Sequence, residues 1–138
     1  MPQATDLVLK DSTANDKTFT LLTPASGYGS VAEWALKEGA ISSVFPRFTA
    51  SATSSAANSG VSRNGASKKL RMKLRVPSSY TDAVTGLSNV SSAFEFNGSV
   101  TVPADFPEAL KADAAAYVGS ALTSALVQAM IKDGLPAT

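Results

Sequence analysis

The sequence predicts an α+β fold in which an antiparallel sheet is followed by helices on one of its faces. Three observations carry that prediction. Segments with strand character predominate up to residue 103 and a sustained helical period begins only at 105, and strands followed by helices in this way define the class. One strand alternates strictly between cations and apolar residues. About 25 residues of helix cannot cover both faces of such a sheet, so one face is expected to stay open, and the alternating strand makes that face positive. The 138 residues fit a single domain, 1–138, since single cores commonly occupy about 100–150 residues; within it we expect a hairpin at 6–23, a sheet over 31–103 and helices over 105–133.

Residues 6–23, DLVLKDSTANDKTFTLLT, hold two short runs rich in Leu, Val, Thr and Phe separated by the turn formers STAND, which is a hairpin pattern. Pro24, Gly27 and Gly29 then interrupt any regular element. Residues 31–51 are ambiguous: Val31, Trp34 and Leu36 can line a helix, whereas Ile41, Val44, Phe45 and Phe48 favour extended chain that tolerates Pro46. From Ala50 to Ser67 the chain is small and polar, with Asn64-Gly65 as a two-residue hairpin signal. In KKLRMKLRVP, Lys69, Arg71, Lys73 and Arg75 alternate with Leu70, Met72, Leu74 and Val76 until Pro77 ends the run. A side-chain period of two places the four cations on one sheet face and the four apolar groups on the other.

Residues 78–92 read as a polar loop, too long for a tight hairpin, and AFEFNGSVTVP reads as strand again. Asn97-Gly98 marks either a turn that splits that strand or a bulge within it. Beyond it, Phe106, Leu110, Ala114, Tyr117, Ala121, Leu122, Leu126 and Met130 recur at helical spacings of three and four. Asp105 with Glu108 forms a capping box, Pro107 is tolerated in the first turn, and Gly134 then Pro136 mark the end. Two helices are expected, joined near Ala121 to Thr123, because Thr123 or Ser124 can cap the second.

The chain contains no Cys and no His, which excludes Ser-His-Asp and Cys-His catalytic sets, zinc fingers, disulfide frameworks and haem attachment. Its eleven carboxylates form no evident acid–base pair, so we expect no catalysis, no cofactor and no metal. Gly27 to Ala32 spell G-x-G-x-x-A, but no strand leads into them and no acidic residue follows about 20 positions on, so the dinucleotide reading fails. The first residues lack a basic segment followed by an apolar run, and no stretch approaches the roughly 18 apolar residues that cross a bilayer. A soluble protein without a membrane partner is therefore expected, and the lack of Cys fits a reducing compartment.

Net charge is +1, yet the total hides an asymmetry. Between Gly39 and Thr81 stand Arg47, Arg63, Lys68, Lys69, Arg71, Lys73 and Arg75 without a single Asp or Glu. A solvated edge strand protected by Lys is one reading. Like charges in line repel, however, and no carboxylate within the segment balances them; phosphate binding accounts for the pattern better.

Ordered along the chain, several strings resemble the coat proteins of single-stranded RNA bacteriophages, the leviviruses: Val31-Ala32-Glu33-Trp34, the basic strand Lys68 to Pro77, Asn97 to Pro103 (NGSVTVP), and Lys132-Asp133-Gly134 with Pro136. The resemblance implies a hairpin, a five-stranded antiparallel sheet and two helices. It implies that two chains join edge to edge into a ten-stranded sheet, each chain's helices crossing onto its partner, and that such dimers build an icosahedral shell with the sheet facing the genome. Phe106, Leu110, Tyr117 and Leu122 then form an intermolecular surface. The location implied is the virion, assembled in the bacterial host cytoplasm. The family also binds an RNA stem-loop as translational repressor, and carried over by position the RNA-contacting candidates are Thr49, Ser51, Thr53, Ser67, Lys69, Arg71, Lys73 and Asn97. Lys and Arg suit phosphates, while Thr, Ser and Asn suit unstacked bases. Two departures stand out. Glu95 falls where the family stacks a Tyr on a loop base, and the segment from Ser54 to Gly65 is longer than its counterpart. Residues 78–92 correspond to the loop that gathers at the shell's symmetry axes. The function expected is a structural capsid protein that packages RNA; a dimeric RNA-binding regulator that builds no shell is the alternative.

Overall fold

The computed structural model describes residues 2–39, 41–55 and 66–137, which form two compact units, Met1–Ala104 and Asp105–Thr138. The first is a sheet of β1 (Leu7–Lys10), β2 (Asp16–Thr23), β3 (Val31–Ala35), β4 (Arg47–Ser55), β5 (Ser67–Thr81) and β6 (Ser88–Pro103), with a single turn of 3-10 helix at Ser42–Val44. Strands pair in sequence order, every pair antiparallel. The expected hairpin, sheet and pair of helices are all present. The hairpin is itself part of the sheet, which has six strands.

The β1–β2 hairpin closes on Asp11, whose carboxylate accepts the Thr13 hydroxyl at 2.8 Å and the amides of Thr13 and Asn15 at 2.9 and 3.0 Å. Those donors, the Thr13 hydroxyl foremost, hold the Asp11 carboxyl below its ordinary value. Asp6, just before β1, accepts the amide of Leu21 in β2 at 2.8 Å, beside a register shift between Leu21 and Thr23.

The ambiguity over residues 31–51 resolves as strand at 31–35 and from 47 onward, with the 3-10 turn at Ser42–Val44 between them. Strand β3 is paired on both sides, and its alternate residues Ala32 and Trp34 enter the core. Phe19, Ala32 and Trp34 are buried against Leu7, Leu21, Leu36, Phe48, Ala50 and Leu74. Trp34 lies 5.7 Å from Phe48, centroid to centroid, and its indole N–H donates to the Thr5 carbonyl at 2.7 Å. Beside this core, Gly39 has φ +136° and a Cβ placed there would stand 2.6 Å from Val44 Cγ2. Backbone strain and overlap with a buried side chain act together, so Gly39→Ala is expected to cost about 1–3 kcal/mol, read as a lower urea midpoint.

Three expectations about the sheet need correction. The polar loop at 78–92 is largely strand: β5 runs to Thr81, β6 starts at Ser88, and only 82–87 form the turn. Cross-strand hydroxyl pairs replace apolar contacts here, Ser78 with Ser91 and with Ser92, both at 2.7 Å. The Asp82 carboxylate then organises the turn by accepting the amides of Val84 and Thr85 at 2.7 and 3.2 Å, which lowers its pKa. Pro77 does not end β5, because beyond Arg75 that strand pairs with β6 alone and a register shift follows at Ser78/Ser79, both settings in which strand proline is tolerated. Asn97-Gly98 is neither turn nor bulge: the register passes through it unbroken, Lys73 opposite Asn97 and Met72 opposite Gly98. The glycine makes room for the Phe96 ring, whose Cζ would lie 2.9 Å from an added Cβ. The Asn64-Gly65 signal lies outside the described residues.

The second unit contains α1 (Glu108–Thr123) and α2 (Ala125–Asp133), whose axes differ by 57°. They part at Ser124, just beyond the expected 121–123. Ser124 is extended, its hydroxyl accepts the Val127 amide at 3.4 Å, and its own amide donates to the Ala121 carbonyl. Pro107, not the expected Asp105, occupies the position before α1, and the Glu108 carboxylate accepts from Lys111. Gly134 closes α2 by donating its amide to the Met130 carbonyl at 2.8 Å. Neither helix contains a buried residue, and among the described residues no single helix is long and apolar enough to cross a membrane.

Candidate nucleic-acid interface

The period of two, carried across three paired strands, assembles the candidate site. Opposite residues form rows: Thr49, Lys73 and Asn97; Ser51, Arg71 and Ser99; Thr53, Lys69 and Thr101; Ser55, Ser67 and Pro103. All eight predicted contact residues therefore share one face of the sheet. Thr49, Ser51, Lys69, Arg71, Lys73 and Asn97 line a cavity of about 460 Å³ on it. Thr53 and Ser67 extend the face beyond that cavity, the Thr53 hydroxyl donating to the Lys69 carbonyl at 3.4 Å and Ser67 pairing with Ser55 at 2.8 Å.

The structure changes the charge reading. Lys68 pairs with Ser54 and Val102, one step out of phase with Lys69, so it belongs to the opposite face, and Arg63 lies outside the described residues. Two carboxylates enter from flanking strands. Glu33 on β3 accepts from Arg47 at 2.7 Å, while Glu95 on β6 lies 3.2 Å from Lys73 and 3.4 Å from Arg75. Arg47 and Arg75 stand directly opposite each other, an unfavourable pairing of like charges that these acids relieve. Lys69 and Arg71 have no ion pair among the described residues. Both acids lie outside residues 39–81 and reach these cations only across strands. The available signal was parity: Glu95 and Asn97 are two apart on one strand and so share a face.

Chemically, this face presents ammonium and guanidinium groups among hydroxyls and one carboxamide, groups whose chemistry suits phosphates and exposed bases. Among the described residues no group of three His, Cys, Asp or Glu gathers to hold a metal. Lys68 apart, the opposite face is largely apolar and only partly covered. Leu70, Val76 and Phe94 on it are exposed, and Leu7, Tyr28, Trp34, Leu70 and Val102 border a hollow of about 960 Å³. The outer edge of β6, sixteen residues long, has no strand partner among the described residues. In the helical unit, Phe106 is half-buried while Leu110, Tyr117 and Leu122 are 50%, 72% and 38% exposed.

An antiparallel sheet of this order followed by two helices is the fold of levivirus coat proteins. The virus-like particle of Beihai levi-like virus 21 matches with a TM-score of 0.81 at 19% identity, covering 99% of this chain and 99% of that one. The virus-like particle of bacteriophage NT-214 matches at 0.80 and 20%, over 99% and 100%. The capsid protein of bacteriophage GA matches at 0.64 and 20%, over 94% of each chain. No family model matches the sequence, and no curated protein does.

Proposed function

We propose that the chain is the structural capsid protein of a single-stranded RNA bacteriophage. It dimerises, assembles into an icosahedral shell in the bacterial host cytoplasm, and packages RNA against its basic sheet face. The same face, at Thr49, Ser51, Thr53, Ser67, Lys69, Arg71, Lys73 and Asn97, binds an RNA stem-loop as translational repressor. The observation that carries this reading is the two-sidedness of the sheet. One face is cationic and hydroxyl-rich, and the other leaves Leu70, Val76 and Phe94 to be covered. Exposed patches of that kind mark association surfaces. A long unpaired edge is a template for a second strand, and the β6 edge supplies it, joining two sheets through a twofold axis. Leu110, Tyr117 and Leu122 then cover the partner's apolar face, with Phe106 beside them.

Electron microscopy of the recombinant protein tests the reading. Uniform particles enclosing nuclease-protected RNA are expected, and dimers alone at high concentration would instead support an RNA-binding regulator that builds no shell. Lys69→Ala with Arg71→Ala should leave dimers intact while lowering protected RNA severalfold, since each lost phosphate contact weakens binding in a salt-dependent way. Unchanged RNA content in that variant would disprove packaging through the basic face.

A further inference from the structure

The cations of the sheet face are not equivalent. We propose that the face is divided: its Lys69–Arg71 half binds the RNA backbone, and its Arg47–Lys73–Arg75 half, neutralised by Glu33 and Glu95, excludes phosphate and meets bases alone. The division rests on the proposed RNA-binding reading and sharpens it by assigning different parts of the RNA to different rows.

Two rows, Ser51–Arg71–Ser99 and Thr53–Lys69–Thr101, hold two cations and four hydroxyls without a carboxylate. Lys69 and Arg71 are two residues apart on one strand, about 7 Å along it, which suits successive phosphates of an extended single strand. The neighbouring rows, Thr49–Lys73–Asn97 and Arg47–Arg75–Glu95, hold three cations. Glu33 takes Arg47, and Glu95 bridges Lys73 and Arg75. Such exposed pairs add little stability, but their effect on a ligand is of another kind. A phosphate approaching Lys73 or Arg75 comes within a Debye length, about 8 Å at physiological salt, of the Glu95 carboxylate. It must then displace that carboxylate, so few counterions are released for the contact made. An uncharged base suffers no such repulsion, and Thr49 and Asn97 in these rows offer the hydrogen-bonding groups that read base edges.

The salt dependence of binding separates the halves. Affinity of the purified protein for a fluorescent oligouridylate, measured by anisotropy over a series of salt concentrations, should follow a log–log slope of about 0.7 per phosphate engaged. Lys69→Ala and Arg71→Ala are each expected to flatten the slope by about 0.7, whereas Lys73→Ala should change it by less than half as much. Glu95→Gln should steepen it, and in that background Lys73→Ala should acquire the full effect, a coupling read from the four-variant cycle. Equal flattening by Lys73→Ala and Lys69→Ala in the parent protein, or a slope indifferent to Glu95→Gln, would overturn the division while leaving RNA binding by the face intact. If Lys69→Ala and Arg71→Ala also left the slope unchanged, the basic-face reading itself would fall, and the division with it.

Discussion

Replacing Leu110, Tyr117 and Leu122 together by Lys is expected to abolish particle assembly without unfolding the helices. In the single chain these side chains are exposed to between 38% and 72%, and Lys is a good helix former, so the helical unit itself should lose little. In the proposed dimer the same side chains are covered by the partner. Burial of a large apolar side chain contributes about 1.5–3 kcal/mol, and a twofold interface counts each residue twice. Replacing three per chain by cations should therefore remove on the order of 10 kcal/mol from the dimer, more than most assemblies can lose. Sedimentation velocity should find only slowly sedimenting species where the parent forms particles, with far-UV circular dichroism unchanged. Particles persisting in the triple variant would mean that this stripe faces solvent and that the helices do not clasp a second chain.

The second large effect is expected at Trp34. Its ring is 8% exposed, packs on Phe48 and belongs to the small buried cluster with Phe19 and Ala32. Trp34→Ala should cost about 3–5 kcal/mol, a large share of the roughly 5–15 kcal/mol that holds a typical domain folded. Trp34→Phe keeps most of the packing and loses the indole donor to Thr5, a change of about 1 kcal/mol. Urea midpoints at fixed protein concentration compare the three proteins. A shift in Trp34→Ala no larger than that in Trp34→Phe would mean that the core lies elsewhere.

What could be read from the chain alone depended on whether the deciding contacts were local. Lys69 to Val76 could be assigned to faces because the pleat dictates alternation, and Ser124 could be placed near the helix break because a cap acts within one turn. The strand ends at 78–81 and 88–92 were hidden, since Ser78, Ser91 and Ser92 resemble loop residues until their hydroxyls meet across the strands. Asn97-Gly98 misled for a related reason: the glycine answers to the neighbouring Phe96 ring, and nothing in the dipeptide reveals that. Within the site, the cations were visible from their spacing along β5. Glu95 was placed there by the resemblance alone, whereas the pairing of Glu33 with Arg47 and of Glu95 with Lys73 and Arg75 was hidden, because it depends on strand register.

The modest core has a consequence for how this protein is handled. Phe19, Ala32, Trp34, Ala35 and Val44 are the buried apolar residues among those described. In the proposed dimer each chain completes its interior against its copy, and its folded population would rise with its own concentration. Dilution should then act as a denaturant, releasing subunits at a temperature where the concentrated protein is intact, and a protease should cut the dilute sample first.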